Sequence, residues 1–334
     1  MVGAVVLDAS GSLAGEGFHR EQGQPHAEQE ALAAAGPSAS GGTIYVNLEP
    51  CTHSHRKPPC AQAIIAAGVK RAVISMQDPD PRVNGAGIQQ LRAAGVEVVF
   101  GILEEPAARL NEFYVKHRRT GRPFVSAKFA MSLDGKIATA SGESRWITGE
   151  AARRHGHQLR HRHDAILVGL NTILKDDPEL SARLPAAETR QPLRIVLDSR
   201  LRTPATARVL SSRTLIATVS DQQLPGAETV RLPATRDGRV ALEPLLDELG
   251  RRGIVSLLVE GGGETLASFF AGGLVDKVYA YIAPLLIGGR EAPTALGGTG
   301  AQRLADAHHL SGTEVTQLEE DLLVSGYLDV HRGS

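Results

Sequence analysis

The sequence predicts two α/β domains in one chain, and three observations carry that prediction. Short β-branched or apolar runs alternate with Ala-rich helical runs over residues 1–100, the pattern of a mainly parallel sheet covered on both faces. The alternation stops at a basic link containing Gly and Pro near residue 120 and then restarts. A length of 334 residues with 42% apolar content suffices for two cores of ordinary size. The expected division is 1–120 and 121–334.

Each element follows from local pattern. "VGAVVLD" reads as a strand, "DASGS" as a turn and "AGEGFH" as a second short strand. "HAEQEALAAAG" reads as a helix that begins near Pro25 and stops at Gly36. "TIYVNLEP" is a buried strand, "CAQAIIAAG" a helix stopping at Gly68, "KRAVISM" a strand, "GIQQLRAAG" a helix and "VEVVFGI" a strand. Residues 104–123 form one helix followed by the basic link. Beyond it come "FVSAKFAMS" as strand, "TGEAARRHGHQLRHRH" as helix, then "AILVG", "LRIVLD" and "TLIATV" as strands. "EPLLDELGRRG" and "ETLASFFAGG" are helices, "VSLLVEGGG" and "KVYAYIAPLLIG" strands. "LPAAETRQP" and "LPGAETVRLPATRDG" read as surface loops. The His-rich run at 153–163 reads as a solvated helix face with Arg160 turned inward.

Composition excludes several classes of function. The 36 basic and 37 acidic residues leave no global field for nucleic acid or an anionic membrane. No run approaches the roughly 18 apolar residues that a spanning helix needs. "MVGAVVLDASG" lacks a basic flank and a cleavage site, so it reads as a strand rather than a leader. A cytoplasmic protein without nucleic-acid or membrane partners is expected. The two cysteines of the whole chain then read as thiolates with a chemical role.

Those cysteines follow a His-x-Glu. His26 and Glu28 stand at a predicted helix start, Cys51 and Cys60 near the start of the next. One imidazole and two thiolates suit zinc, and three protein ligands leave the fourth tetrahedral position open, as in catalytic sites. Glu28, two residues after the histidine, is placed to move a proton without ligating. His-x-Glu alone also fits a helix-cap histidine beside two structural cysteines. Followed by Pro-Cys and a further Cys it matches the zinc nucleobase-deaminase signature, with a gap of eight residues between the cysteines rather than the usual two. In the second half, "VEGGGETLASFF" is strand, glycine turn and helix. Such a turn suits phosphate at a helix N-terminus, but equally a tight connection without any ligand.

On "HAE", "LEPCTHSHRKPPCAQAIIAAGV" and "DPDPRVNGAGI" in the first half, and "KFAMSLDGKIATASGESRWIT" and "VEGGGETLASFF" in the second, the chain resembles a known family. That family is the bifunctional pyrimidine deaminase/reductases of riboflavin biosynthesis, and the resemblance covers essentially the whole chain. It implies a cytidine-deaminase-like three-layer α/β/α zinc domain followed by a dihydrofolate-reductase-like α/β domain. Family members begin with a helix and a "PNP" segment before the "MVGAVV" strand, at which this sequence starts, so the first domain is expected to lack that helix.

The resemblance further implies zinc on His26, Cys51 and Cys60, Glu28 as proton shuttle, and His19, Arg56, Asp78 and Asp80 as substrate contacts. In the second domain it implies NADPH at Ala130, Trp146, Thr172, Asp176 and the turn of Gly262, Gly263, Glu264, Thr265, Leu266, Ala267 and Ser268. Substrate is implied at Ser144, Arg160, Leu180, Arg183 and Glu260, with Arg160 and Arg183 as a phosphate clamp. The implied substrate is a small pyrimidine carrying a ribosylamino 5′-phosphate. The implied assembly is a homodimer or homotetramer built on the reductase halves.

Overall fold

The computed structural model describes residues 1–21, 23–52, 58–185, 189–211 and 213–328. The chain divides into two compact units, Met1–Thr120 and Gly121–Ser334.

In the first unit, β1 (Gly3–Leu7) and β2 (Leu13–Phe18) form a hairpin. Asp8 closes it, its carboxylate accepting the N–H of Ser10 at 2.8 Å and of Ser12 at 3.0 Å. There follow α1 (Ala27–Ala35), β3 (Thr43–Val46), α2 (Cys60–Ala66), β4 (Arg71–Ile74), α3 (Ala86–Ala93) and β5 (Glu97–Phe100). The sheet order is β2-β1-β3-β4-β5. Only β3, β4 and β5 pair in parallel; β1 is antiparallel to both neighbours. The expectation of a mainly parallel sheet is corrected here, because a tight turn such as "DASGS" can join only antiparallel strands.

Alternate residues Ala4 and Val6, Ile44 and Val46, and Ala72 and Ile74 point into one core with α1, α2 and α3. The glycines of "AGEGF" let α1 approach β2 closely. A Cβ on Gly15 would lie 2.4 Å from the Ala31 carbonyl oxygen, and one on Gly17 would lie 2.5 Å from that of Ala27. This packing sets the position of the α1 N-terminus, where the site begins. The single helix expected over 104–123 is two, α4 (Glu104–Leu110) and α5 (Glu112–Thr120). They part at buried Asn111, whose amide turns back to the Ala107 carbonyl at 3.2 Å.

The second unit contains β6 (Phe124–Ser132), α6 (Glu150–Arg162), β7 (Ala165–Gly169) and α7 (Leu170–Asp176). Next come β8 (Leu193–Leu197), β9 (Thr214–Thr218), β10 (Glu228–Arg231), α8 (Leu242–Arg251), β11 (Ser256–Val259) and α9 (Gly263–Ala271). The unit closes with β12 (Lys277–Ala283), β13 (Leu310–Leu318) and β14 (Asp321–Leu328). Sheet order is β10-β9-β8-β7-β11-β6-β12-β14-β13. Pairing is parallel from β10 to β12 and antiparallel beyond. Side chains such as Leu167, Leu257 and Val259 pack with α8 and α9 on one face. Ile166 and Val196 pack with Ile173 of α7, and Leu258 and Tyr281 with Ala152 and Leu159 of α6. Strands buried on both faces explain the continuous apolar runs in the sequence.

Three elements escape the sequence pattern. Helix α7 is a single short helix directly after a strand; β10 is four residues inside a stretch read as loop; the β13–β14 hairpin has no strict alternation, and β13, at the sheet edge, is mostly polar. No helix among the described residues is long and apolar enough to cross a membrane.

Candidate active sites

In the first unit, His26 is the N-cap of α1, held extended at φ −72° and ψ 159°, and Glu28 is the second residue of the helix. Cys60 opens α2, and its N–H lies 3.5 Å from the Cys51 sulfur. His26 Nδ1 lies 3.2 Å from Cys60 Sγ and 3.6 Å from Cys51 Sγ. All three ligand atoms fall within 4.8 Å of one another. Tetrahedral zinc with ordinary bond lengths sets a nitrogen–sulfur edge of about 3.5 Å, so these spacings fit the ion. The Cys60 thiol and then His26 hold Cys51 down at about 4, while the Cys51 contact and burial push Cys60 up. A divalent cation would hold both as thiolates.

Glu28 is 3% exposed, and burial pushes its carboxyl up to about 7. The His19 ring meets His26 edge-on at 5.3 Å, and its Nδ1–H donates to the Pro25 carbonyl at 3.0 Å. Neutral His19 therefore keeps Nε2 as an acceptor. Asp78 and Asp80 are buried; both Asp80 oxygens have partners, whereas the two contacts of Asp78 fall on Oδ1 alone. Asp78 accepts the Tyr114 hydroxyl at 2.9 Å and the Asp80 N–H at 2.9 Å. Asp80 is gripped by Arg82, with Nη2 at 2.6 Å from Oδ2, and has Arg118 at 3.6 Å. Asp80 accordingly has little free reach toward a substrate, whereas Asp78 keeps Oδ2 for one. Arg56 lies outside the described residues. Sequence reasoning passed over Glu49, 2% exposed, although a charged residue ending a buried strand was a visible signal.

In the second unit a cavity of about 750 Å³ opens at the carboxyl ends of the parallel strands. Lys128 and Ala130 of β6, Tyr281 of β12, Glu260 just past β11, residues 144–150 and one face of α6 line it. The α6 residues are Glu150, Ala152, Arg153, Arg154, Gly156, His157 and Arg160, centred on one side of the helix. Arg160 is turned inward as expected and Arg154, Gln158 and Arg162 keep a solvated face, but the side carrying Arg153 and His157 faces the cavity, and His163 is in the core. Its Nδ1–H donates to the Leu159 carbonyl at 2.7 Å and its Nε2 accepts from the Ser126 hydroxyl at 2.9 Å. Burial holds it down at about 4.

Arg160, expected in a phosphate clamp, lines the cavity with its guanidinium already engaged. Its guanidinium forms a two-pronged pair with Glu260, Nε to Oε1 at 2.9 Å and Nη2 to Oε2 at 2.7 Å, and Nη1 reaches the Ser181 carbonyl at 3.2 Å. Lys128 Nζ stands 3.9 Å from Glu260 and 5.3 Å from the centre of the Tyr281 ring. Burial alone would raise Glu260, but Arg160 and Lys128 outweigh it and hold the carboxyl at about 2. Burial lowers Lys128. Tyr281 is hydrogen-bonded to His155 Nδ1 at 2.6 Å, a pair without a sequence signal because 126 residues separate the two.

Ser144, Trp146 and Arg183 also line the cavity, with the Arg153 guanidinium 4.7 Å above the Trp146 ring. Thr172, Asp176 and Leu180 do not line it. The Leu180 side chain packs in the core, leaving only its backbone to reach a ligand, and Asp176 lies 3.9 Å from Arg145. In the glycine turn, a Cβ on Gly261 would strike Thr265 at 2.5 Å and one on Gly263 the Thr294 carbonyl oxygen at 2.8 Å, whereas Gly262 faces open space. Packing thus explains two of the glycines. Gly262, the N-cap of α9, leaves room for a phosphate-bearing cofactor to approach, and the open cavity beside exposed Trp146 fits a nicotinamide dinucleotide in size.

Comparison with known proteins agrees with both sites. Residues 1–76 match the cytidine and deoxycytidylate deaminase zinc-binding region, and residues 123–324 match the RibD C-terminal domain. The chain is 44% identical to riboflavin biosynthesis protein RibD of Actinobacillus pleuropneumoniae, over 97% of this chain and 88% of that protein. It superposes on Acinetobacter baumannii RibD, form 1, with a TM-score of 0.89 at 38% identity, covering 98% of this chain and 92% of the other. A Thermotoga maritima diaminohydroxyphosphoribosylaminopyrimidine deaminase/5-amino-6-(5-phosphoribosylamino)uracil reductase gives a TM-score of 0.85 at 33% identity, covering 98% and 91%. The chain belongs to the RibD family. It is a bifunctional enzyme acting on a small molecule, with a zinc-dependent deaminase domain and a reductase domain that uses NADPH.

Proposed function

We propose that the first unit hydrolytically deaminates 2,5-diamino-6-ribosylamino-4(3H)-pyrimidinone 5′-phosphate. The second then reduces the ribosyl group to ribityl, giving 5-amino-6-ribitylamino-uracil 5′-phosphate. The name of the Thermotoga maritima relative supports both substrates. The observation that carries the reading is the convergence of His26, Cys51 and Cys60 beside buried Glu28, in the same chain as a cavity built around Glu260.

His26, Cys51 and Cys60 hold the zinc. What zinc supplies there is Lewis acidity, which brings the pKa of a coordinated water toward neutrality. Glu28 takes the water proton and passes it to the ring and to the departing ammonia. Its raised pKa suits a group that must both accept and release a proton. His19 contacts the pyrimidine through its free ring nitrogen, and Asp78 and Asp80 shape the pocket wall. Arg56 is assigned to the phosphate by resemblance alone.

In the second unit NADPH supplies a hydride to C1′ of the ribosyl group. Ala130 and Trp146, which line the cavity, would hold it, and Thr172, Asp176 and the turn from Gly262 to Ser268 are assigned to it by resemblance alone. As the C1′–O4′ bond breaks, its electron pair passes to the ring oxygen, which needs a proton. Lys128 lines the cavity and is steadied by Glu260, so it is placed to deliver that proton. Arg183 binds the substrate phosphate, with Ser144 beside it. Arg160 and Glu260 act as one unit with Lys128, and the Leu180 backbone closes the wall.

The enzyme is assigned as a cytoplasmic homodimer or homotetramer built on its reductase halves, without nucleic-acid or membrane partners. Strand β13, at the edge of its sheet with residues 311–317 exposed, supports an association through that unit. One assay tests the whole reading: ammonia release and NADPH oxidation measured separately on the purified chain, with zinc quantified. Ammonia release that depends on zinc, and NADPH oxidation only with the deaminated product, are expected. Neither activity on these substrates would overturn it.

A further inference from the structure

Glu49 precedes the ligand Cys51 by two residues, and nothing in the chemistry above uses it. Its carboxylate nevertheless accepts four backbone N–H groups. Oε2 takes those of Asp78 at 3.1 Å and Gly85 at 2.9 Å; Oε1 takes those of Gly87 at 2.8 Å and Ile88 at 3.1 Å. Gly85 is the N-cap of α3 and has no side chain to cap it, so Glu49 supplies the cap from a distance. The contact is close: a Cβ on Gly87 would lie 2.1 Å from the Pro50 carbonyl oxygen. The Glu49 N–H donates in turn to the Met76 carbonyl at 3.0 Å.

An ordinary cap would be a Ser or Asp side chain at position 85, but Gly85 stands at φ 92°, where such residues are strained. Here a buried carboxylate spans three segments instead: the end of β3 that leads into Cys51, the loop carrying Asp78 and Asp80, and the start of α3. We infer that Glu49 is a positioning residue of the deaminase site, holding the Cys51 segment and the Asp78–Asp80 loop in register. This rests on the reading that the Asp78–Asp80 loop forms part of the pyrimidine pocket.

Glu49→Gln in the full chain tests it. The amide keeps one oxygen, so it can satisfy one pair of N–H groups and turns a donor toward the other. Amide hydrogen exchange over residues 76–88 is expected to quicken while that of α1 is unchanged. The deaminase KM should rise about 10- to 100-fold, the range for losing a partner in the outer shell of a metal site. Zinc content, deaminase kcat and NADPH oxidation should stay near the parent values. Glu49→Asp, which keeps the charge on a shorter arm, should fall between and serves if the amide variant does not fold. Unchanged exchange over 76–88 overturns the assignment of Glu49 while leaving the pocket reading untouched. Quickened exchange with an unchanged KM overturns the pocket reading, and the inference with it. Loss of zinc in step with the rise in KM would make Glu49 a support of the ligands alone and also overturn it.

Discussion

Two glutamates, one in each unit, are taken out of water to a similar degree and end in opposite states. Glu28 is 3% exposed, and the Glu260 side chain is 8% exposed. Burial drives Glu28 up to about 7, whereas Glu260, buried too, is held at about 2 by Arg160 and Lys128. The lesson is that burial sets the stakes and partners set the sign. A carboxyl raised by burial is poised to trade protons; a divalent ion at His26 would lower Glu28 from there and favour its anionic, proton-accepting form. A carboxylate locked between two cations is a fixed anion, and its task is to orient them.

Each substitution below would break or sharpen that contrast. Glu28→Gln should lower deamination by about 10²- to 10⁴-fold, the share of general acid–base catalysis. Zinc should stay bound and NADPH oxidation unchanged, measured on the same preparation; turnover near the parent rate would remove Glu28 from its role.

Glu260→Gln should act on stability as well as on reduction, because it strands Arg160 and Lys128 without a counter-charge. Breaking a buried pair in this way costs about 3–5 kcal/mol. A lowered melting temperature of the reductase unit, with deamination retained, is the expected outcome. An unchanged melting temperature would show that the cations are solvated after all.

Acid should weaken the second unit in two overlapping windows. His163 has a folded value of about 4 against 6.5 in its ordinary state, so the unfolded chain binds the extra proton and stability falls as pH drops from about 6.5 to 4. Glu260 is depressed from 4.5 to about 2, so its contribution is present above pH 4.5 and is lost as pH falls toward 2. Each shift corresponds to about 3 kcal/mol at full extent. Urea midpoints recorded from pH 7 to 4 check the first window, and His163→Leu should flatten it.

The smallest effect is expected of Arg183→Ala, about tenfold in the reductase KM, as for one charge-assisted contact. Quenching of Trp146, the sole tryptophan, by NADPH should be unaltered by that change. Loss of quenching would place Arg183 on the cofactor instead of the substrate.

The two sites also differ in how far they could be read from sequence. His26, Glu28, Cys51 and Cys60 belong to one helix–strand–helix passage, so their residue types and spacing point to zinc before any fold is known. The reductase cavity draws on residues from Lys128 to Tyr281, and its motif, a glycine turn, has two glycines explained by packing alone. Arg160 reads as a phosphate clamp until Glu260, 100 residues later, is seen to occupy it. Asp80 reads as a substrate contact until Arg82 is seen to hold it. The cavity-facing side of α6 escapes the reading of a solvated face because helical periodicity reports which residues share a face, and not what that face meets.

From the sequence alone came the α/β alternation and the zinc ligands with their proton carrier, with the dinucleotide implied only by the family resemblance. These are local quantities: propensity, period and the spacing of donor atoms along a few turns of chain. Tertiary structure alone decided that β1 runs against β3, that Arg153 and Arg160 of α6 turn to the cavity, and which carboxylate each cation meets. Those outcomes depend on groups far apart in the chain, and the energy of a buried charge is set by the partner that folding brings to it.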